Sequence, residues 1–213
     1  MDKTFPKLLQ TDIDLSSLGV ERRTDNEPYF CTPKGASVFG WTGVDGIHFC
    51  FVRGFGGMVF AVSPANTFPN YVHPLAKNFA DFLRLLLACG DVAALEQAWM
   101  WDKAQFETFL QDNPPTQEQQ ETLALVATKL KLMPMERPWA YIKELQASFD
   151  YSKIKYTKEY YPSSRSWWNR HGFHQSCESC RCRKGYARTT WFCRRQCERK
   201  YRYCGNAQGE PCD

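Results

Sequence analysis

The chain has 213 residues, 43% of them hydrophobic, 23% charged and 15% aromatic, with a formal net charge of +4 and 10 cysteines. Such totals fit one ordinary domain with or without an appendage, and they exclude a collagen, a wholly disordered chain and a multi-pass membrane protein. The longest aliphatic stretch, Leu85-Leu86-Leu87-Ala88-Cys89, is far too short to span a bilayer, and residues 1–7 lack the apolar core of a signal peptide, so the expected setting is the cytosol with no membrane partner.

Residues 1–28 hold scattered apolar positions (Phe5, Leu8, Leu9, Ile13, Leu15, Leu18) among acids and Gly19, which predicts an irregular leading segment with one short helix. Strand signals follow. Ala36–Trp41 is a short apolar run, and Thr42-Gly43-Val44-Asp45-Gly46 supplies turn chemistry. Ile47–Val52 is β-branched and aromatic on both faces, as in a central strand covered on both sides. Arg53-Gly54-Phe55-Gly56-Gly57 turns the chain, and Met58–Val62 returns as the next strand. A meander of about three antiparallel strands is the simplest arrangement.

Helices dominate after Pro74. Leu75, Phe79, Phe82, Leu83, Leu86 and Leu87 recur at helical spacing, and Gly90 is a C-terminal stop. Asp91 and Asp102 stand as N-caps of two shorter helices carrying Leu95, Trp99, Phe106 and Phe109. After the Asn113-Pro114-Pro115 break, Thr116 and Gln119 fit a capping box, with Leu123, Val126, Ala127 and Leu130 as the apolar stripe behind it. Pro134 and Pro138 frame a last helix that buries Trp139, Ile142, Leu145 and Phe149. Strands first and helices second make an α+β fold rather than a doubly wound sheet.

The chain changes character after Pro162. Residues 1–162 carry 16 Lys+Arg and 19 Asp+Glu, a net of −3, whereas residues 163–213 carry 11 and 4, a net of +7. The second segment holds 7 of the cysteines and no Leu, Ile, Val or Met. Without aliphatic side chains it cannot make a conventional core and needs a metal, disulfides or a partner, or stays disordered. We therefore read an α+β domain over 1–162 and a basic, Cys-rich tail over 163–213.

Three origins for the tail stay open. The pairs Cys177-x₂-Cys180 and Cys193-x₃-Cys197 have the spacing that sets four thiolates around Zn²⁺, with Cys182, Cys204, Cys212, His171 and His174 as further ligands. Arginines interleaved with Trp191, Phe192, Tyr201 and Tyr203 suit a phosphate backbone and exposed bases, so residues 171–204 would form a zinc-dependent nucleic-acid module. Disulfides fit less well without an export signal. The second origin is a disordered basic tail. The third is translation out of frame. Arg, Cys, Trp and Gly, which have codons with G as second base, make up 23 of the 51 residues of the tail but 21 of the 162 before it. A slipped frame would move the G that is common at first codon positions into the second.

Over residues 36–90, the Gly-punctuated strand pair followed by Val72-His73-Pro74-Leu75-Ala76-Lys77-Asn78-Phe79-Ala80-Asp81-Phe82-Leu83 resembles the later half of SUKH superfamily domains. There a strand meander precedes an Ala…Ser-Phe-…-Phe-Leu helix; Asn78 stands here in place of the serine. The resemblance implies an intracellular binding domain without an active site, in a family rich in bacterial immunity proteins that neutralise toxins.

Candidate chemistry within the domain is sparse. His48 and Cys50 are two apart on one strand, a nucleophile–base pairing in type, but same-face neighbours along a strand lie roughly 6–7 Å apart and Cys is commonly buried. His73 before Pro74 reads as a boundary or cap. Arg53–Gly57 has the glycines of a phosphate loop but leads into a strand rather than a helix N-terminus, so a hairpin turn is expected. Trp99-Met100-Trp101 reads as core aromatics, with a partner-binding edge as the minority reading. The expectation is a non-enzymatic, intracellular protein-binding domain of immunity type without a cofactor; the alternative acts on nucleic acid through zinc held by Cys177, Cys180, Cys193 and Cys197.

Overall fold

Four consecutive strands, the last three of them buried on both faces, determine the architecture. A computed structural model describes residues 3–22, 28–66 and 70–156 of the protein. The strands β1 (Ala36–Trp41), β2 (His48–Val52), β3 (Val59–Val62) and β4 (Val72–Ala76) form one antiparallel sheet in the order β1-β2-β3-β4. Side chains that alternate across a strand divide between two faces. Phe49, Val59, Ala61 and Leu75 join the main core, while Cys50, Val52, Phe60, Val62 and Val72 join a smaller cluster behind the sheet.

The main core lies between the sheet and the helices. These are α1 (Thr4–Leu9), α2 (Phe79–Cys89), α3 (Ala93–Gln97), α4 (Lys103–Asp112), α5 (Gln117–Leu130) and α6 (Pro138–Ser148). Phe5, Phe39, Phe49, Phe51, Phe79 and Phe82 form a continuous ring cluster at its centre, with neighbouring centroids 4.8–6.5 Å apart. Edge and tilted contacts of this kind add to the area they bury. The architecture is α+β, as the order of patterns predicts. No helix among the described residues is long and apolar enough to cross a membrane.

Several expectations need correction: Phe149, expected on the buried face of the last helix, follows α6 and packs behind the sheet, and Trp99 lies beyond the end of α3. The meander has four strands, not about three, because Val72–Ala76 pairs with β3 instead of leading into the helix. Leu75 is accordingly a strand residue, and α2 starts at Phe79 behind Asn78, whose side chain accepts from the Asp81 N–H. Pro74 hides this strand in the sequence. On an edge strand, however, a missing N–H that would point away from the sheet does no harm. There the Pro74 carbonyl accepts instead from Gln146 Nε2 on α6 (3.3 Å).

The back of the sheet has a thin cover made of two distant stretches of chain. Residues 29–34 lie over it, and the C-terminal segment 149–156 crosses beside them, with Phe149, Ile154 and Tyr156 packed on the smaller cluster. The two stretches pair: Pro33 bridges Tyr156, and the Lys34 N–H donates to the Lys155 carbonyl (2.6 Å). A short 3-10 turn, Tyr151–Lys153, is held at its start by Asp150, which accepts from the Ser152 N–H (3.1 Å).

Candidate functional site

The His48–Cys50 pairing does not assemble. Both residues are fully buried, and both nitrogens of His48 are engaged elsewhere. Nδ1 lies 2.8 Å from the Gly46 carbonyl, which only accepts, so Nδ1 carries the proton. Nε2 then accepts from the Thr32 hydroxyl (3.0 Å), and that oxygen accepts in turn from the Tyr29 N–H (2.8 Å). Burial lowers the His48 pKa below its ordinary value. Burial also pushes the Cys50 thiol up to about 12, with Cys31 beside it adding to the effect. A thiol at that value is not a nucleophile near neutral pH. Cys31 and Cys89 are buried and likewise raised to about 12 by desolvation.

An open groove lined by aromatic rings lies where β4 meets the end of α6. This groove has a volume of about 720 Å³ and is lined by Asn70, Val72, His73, Trp99, Lys143, Gln146, Ala147, Tyr151, Ser152, Ile154 and Tyr156. It draws on four separate parts of the chain. His73, expected at a boundary, is a buried strand residue stacked face to face on Trp99, with centroids 4.5 Å apart and planes 8° apart. Its Nε2–H donates to the Asn70 carbonyl (3.0 Å), which leaves Nδ1 as a lone-pair acceptor. Burial is the largest cause holding the His73 pKa down to about 4, and nearby Lys143 adds to it, so the imidazole is neutral at pH 7.

Lys143 closes one side. Its Nζ donates to the Trp99 carbonyl (2.8 Å) and lies 5.9 Å from the Trp139 ring centre. Tyr151 forms the opposite lip, edge-on to Phe149 at 5.0 Å and to His73 at 6.1 Å, yet 40% exposed. Lys143 is the only lining side chain that is ionised at neutral pH. The groove therefore offers aromatic faces and hydrogen-bonding groups rather than charge.

The Trp99–Trp101 segment is divided between core and surface. Trp101 packs on Phe109 against the main core (4.9 Å), Met100 is exposed, and Trp99 is the groove's half-buried platform. No family model, curated protein or solved structure matches the chain.

The thiolate set Cys177, Cys180, Cys193 and Cys197 lies outside the described residues, as do the other tail cysteines and histidines. Among the described residues no group of three or more His, Cys, Asp or Glu side chains is placed to hold a metal ion. Sequence reasoning missed Tyr151, Tyr156 and Lys143. Tyr151 and Tyr156 follow the last helical pattern, and nothing local signals that they return to β4.

Proposed function

We propose that the protein is a non-enzymatic protein-binding domain that takes its partner into the aromatic groove between β4 and α6. The observation that carries this reading is the composition of that groove: Trp99, Tyr151 and Tyr156 around one ammonium group, on a surface otherwise rich in charge. Tyr and Trp bury much area with few rotors to freeze and keep a polar tip, so they dominate the centres of protein interfaces. The groups with reactive chemistry point the same way, because His48, Cys31, Cys50 and Cys89 are sealed inside.

The finer form of this proposal is a cytosolic immunity protein that neutralises one bacterial toxin. It rests on the SUKH-like residues 36–90. Affinity capture with the full chain as bait tests the reading. A partner retained by the native protein and by Leu125→Asp, an exposed site on α5, should be lost with Tyr151→Asp. Capture of no protein, or equal retention by both variants, would contradict it. A second reading, zinc-dependent nucleic-acid binding, is favoured by the cysteine spacing of the tail.

A further inference from the structure

On the other side of segment 149–156 lies a second cleft, of about 590 Å³, whose chemistry is the reverse of the first. Lys34, Arg53, Lys153 and Lys155 line it, with Asp150 as the one carboxylate. Four cations in one cleft stand out in a domain whose residues 1–162 sum to −3. Asp150 pairs with Lys153 (3.5 Å), both exposed. Among the described residues no carboxylate pairs with Lys34, Arg53 or Lys155.

Two further features bear on the ligand. The floor is apolar, made by Phe55, Met58 and Phe149, all half-buried, with the two rings 5.4 Å apart. Gly54, at φ +98° on the turn between β2 and β3, also lines the cleft, and its N–H donates to no acceptor among the described residues. The turn is a hairpin connection, as the sequence predicts. Its glycines hold no helix N-terminus toward a phosphate; the positive charge comes from Arg53 on the turn and from Lys34, Lys153 and Lys155 brought in beside it.

We propose that this cleft binds a nucleotide, with the phosphates on Arg53, Lys34 and Lys155 and the base against Phe55, Met58 and Phe149. Cations without partners hold an anion without first breaking an ion pair, and an arginine fork suits phosphate geometry. An aromatic floor accepts a base through its π-face. The volume lies within the range of small-molecule sites, about 300–1,000 Å³, which favours one nucleotide over a long polymer. The site is independent of the groove at β4.

Calorimetric titration of the full chain with ATP tests the assignment, with adenosine and inorganic triphosphate as comparison ligands. ATP should bind at least about tenfold more tightly than either fragment, because base and phosphate contacts combine. Arg53→Glu and Lys34→Glu, both at exposed positions, should each weaken ATP binding about tenfold or more. Arg194→Glu with Arg195→Glu in the basic tail should leave it within about twofold. If triphosphate binds as tightly as ATP, if the tail pair abolishes binding while the cleft variants do not, or if ATP does not bind, the assignment is overturned.

Discussion

Burial sets the chemistry of individual side chains more than their spacing does. Cys50 and His48 stand where a thiol–imidazole pair would need them in type, yet His48 spends both nitrogens on Gly46 and Thr32. Under native conditions a thiol reagent should therefore leave the peptides containing Cys31, Cys50 and Cys89 unmodified, and should modify all three after denaturation. Mass mapping resolves these positions from the tail cysteines, and rapid native labelling at Cys50 would reopen the nucleophile reading. Titration of His73 gives a second expectation. The unfolded chain takes up a proton near pH 6.5, whereas the folded imidazole resists until about pH 4. The unfolded state thus binds more protons in that window, so stability is full above about pH 6.5 and falls as the pH drops toward 4. His48, also lowered, acts in the same direction. The contribution of His73 is of the order of 3 kcal/mol at most. Denaturant unfolding across pH 4–7 should show this slope, and His73→Asn should flatten it.

At the scale of elements, helix ends were legible because capping is local. Asp102 with Gln105 and Thr116 with Gln119 form the two capping boxes. Gly90 closes α2 at φ +90°, and a Cβ there would meet Pro115 Cγ at 2.7 Å. Gly90→Ala combines a left-handed backbone with a clash against a rigid ring and should destabilise by about 2 kcal/mol. Thr116→Ala, which removes only a cap acceptor, should cost about 1 kcal/mol. Urea midpoints would rank the two, and the reverse order would show that the α2–α5 corner adjusts freely. What the sequence concealed is non-local. Pro74 masks β4, because an edge position excuses its missing N–H only once the sheet is known. The pairing of Pro33 with Tyr156 joins residues more than a hundred positions apart and leaves no periodic trace. Both clefts depend on that crossing, so Tyr151, Lys143, Lys153 and Lys155 had no local signal. Gln119 shows the same limit: its capping role was readable, but its bonds to the Ser17 carbonyl and to Asp91, which tie α5 to the rest of the core, were not.

For the molecule as a whole, charge separates what the totals combine. The net +4 is the sum of −3 over residues 1–162 and +7 over residues 163–213. The alternative reading of the tail makes a stoichiometric demand. If Cys177, Cys180, Cys193 and Cys197 hold zinc, elemental analysis of the purified full chain finds one equivalent, lost on Cys177→Ser with Cys193→Ser. The nucleotide sequence around codons 155–170 decides the out-of-frame origin, which predicts an open, Val/Ala/Gly-rich continuation in the neighbouring frame and fails on an early stop. Within residues 1–162, the two faces of segment 149–156 carry the two proposed sites: an aromatic groove toward β4, proposed for a protein partner, and a basic cleft toward the β2–β3 turn, proposed for a nucleotide. Amide hydrogen exchange of the full chain, alone and with the protein it captures, tests the first assignment directly. Binding should slow exchange at residues 70–73 and 147–156 and leave α4 and α5 unchanged. Protection confined to α4 and α5, with 70–73 and 147–156 unaffected, would place the interface elsewhere and contradict the proposed function.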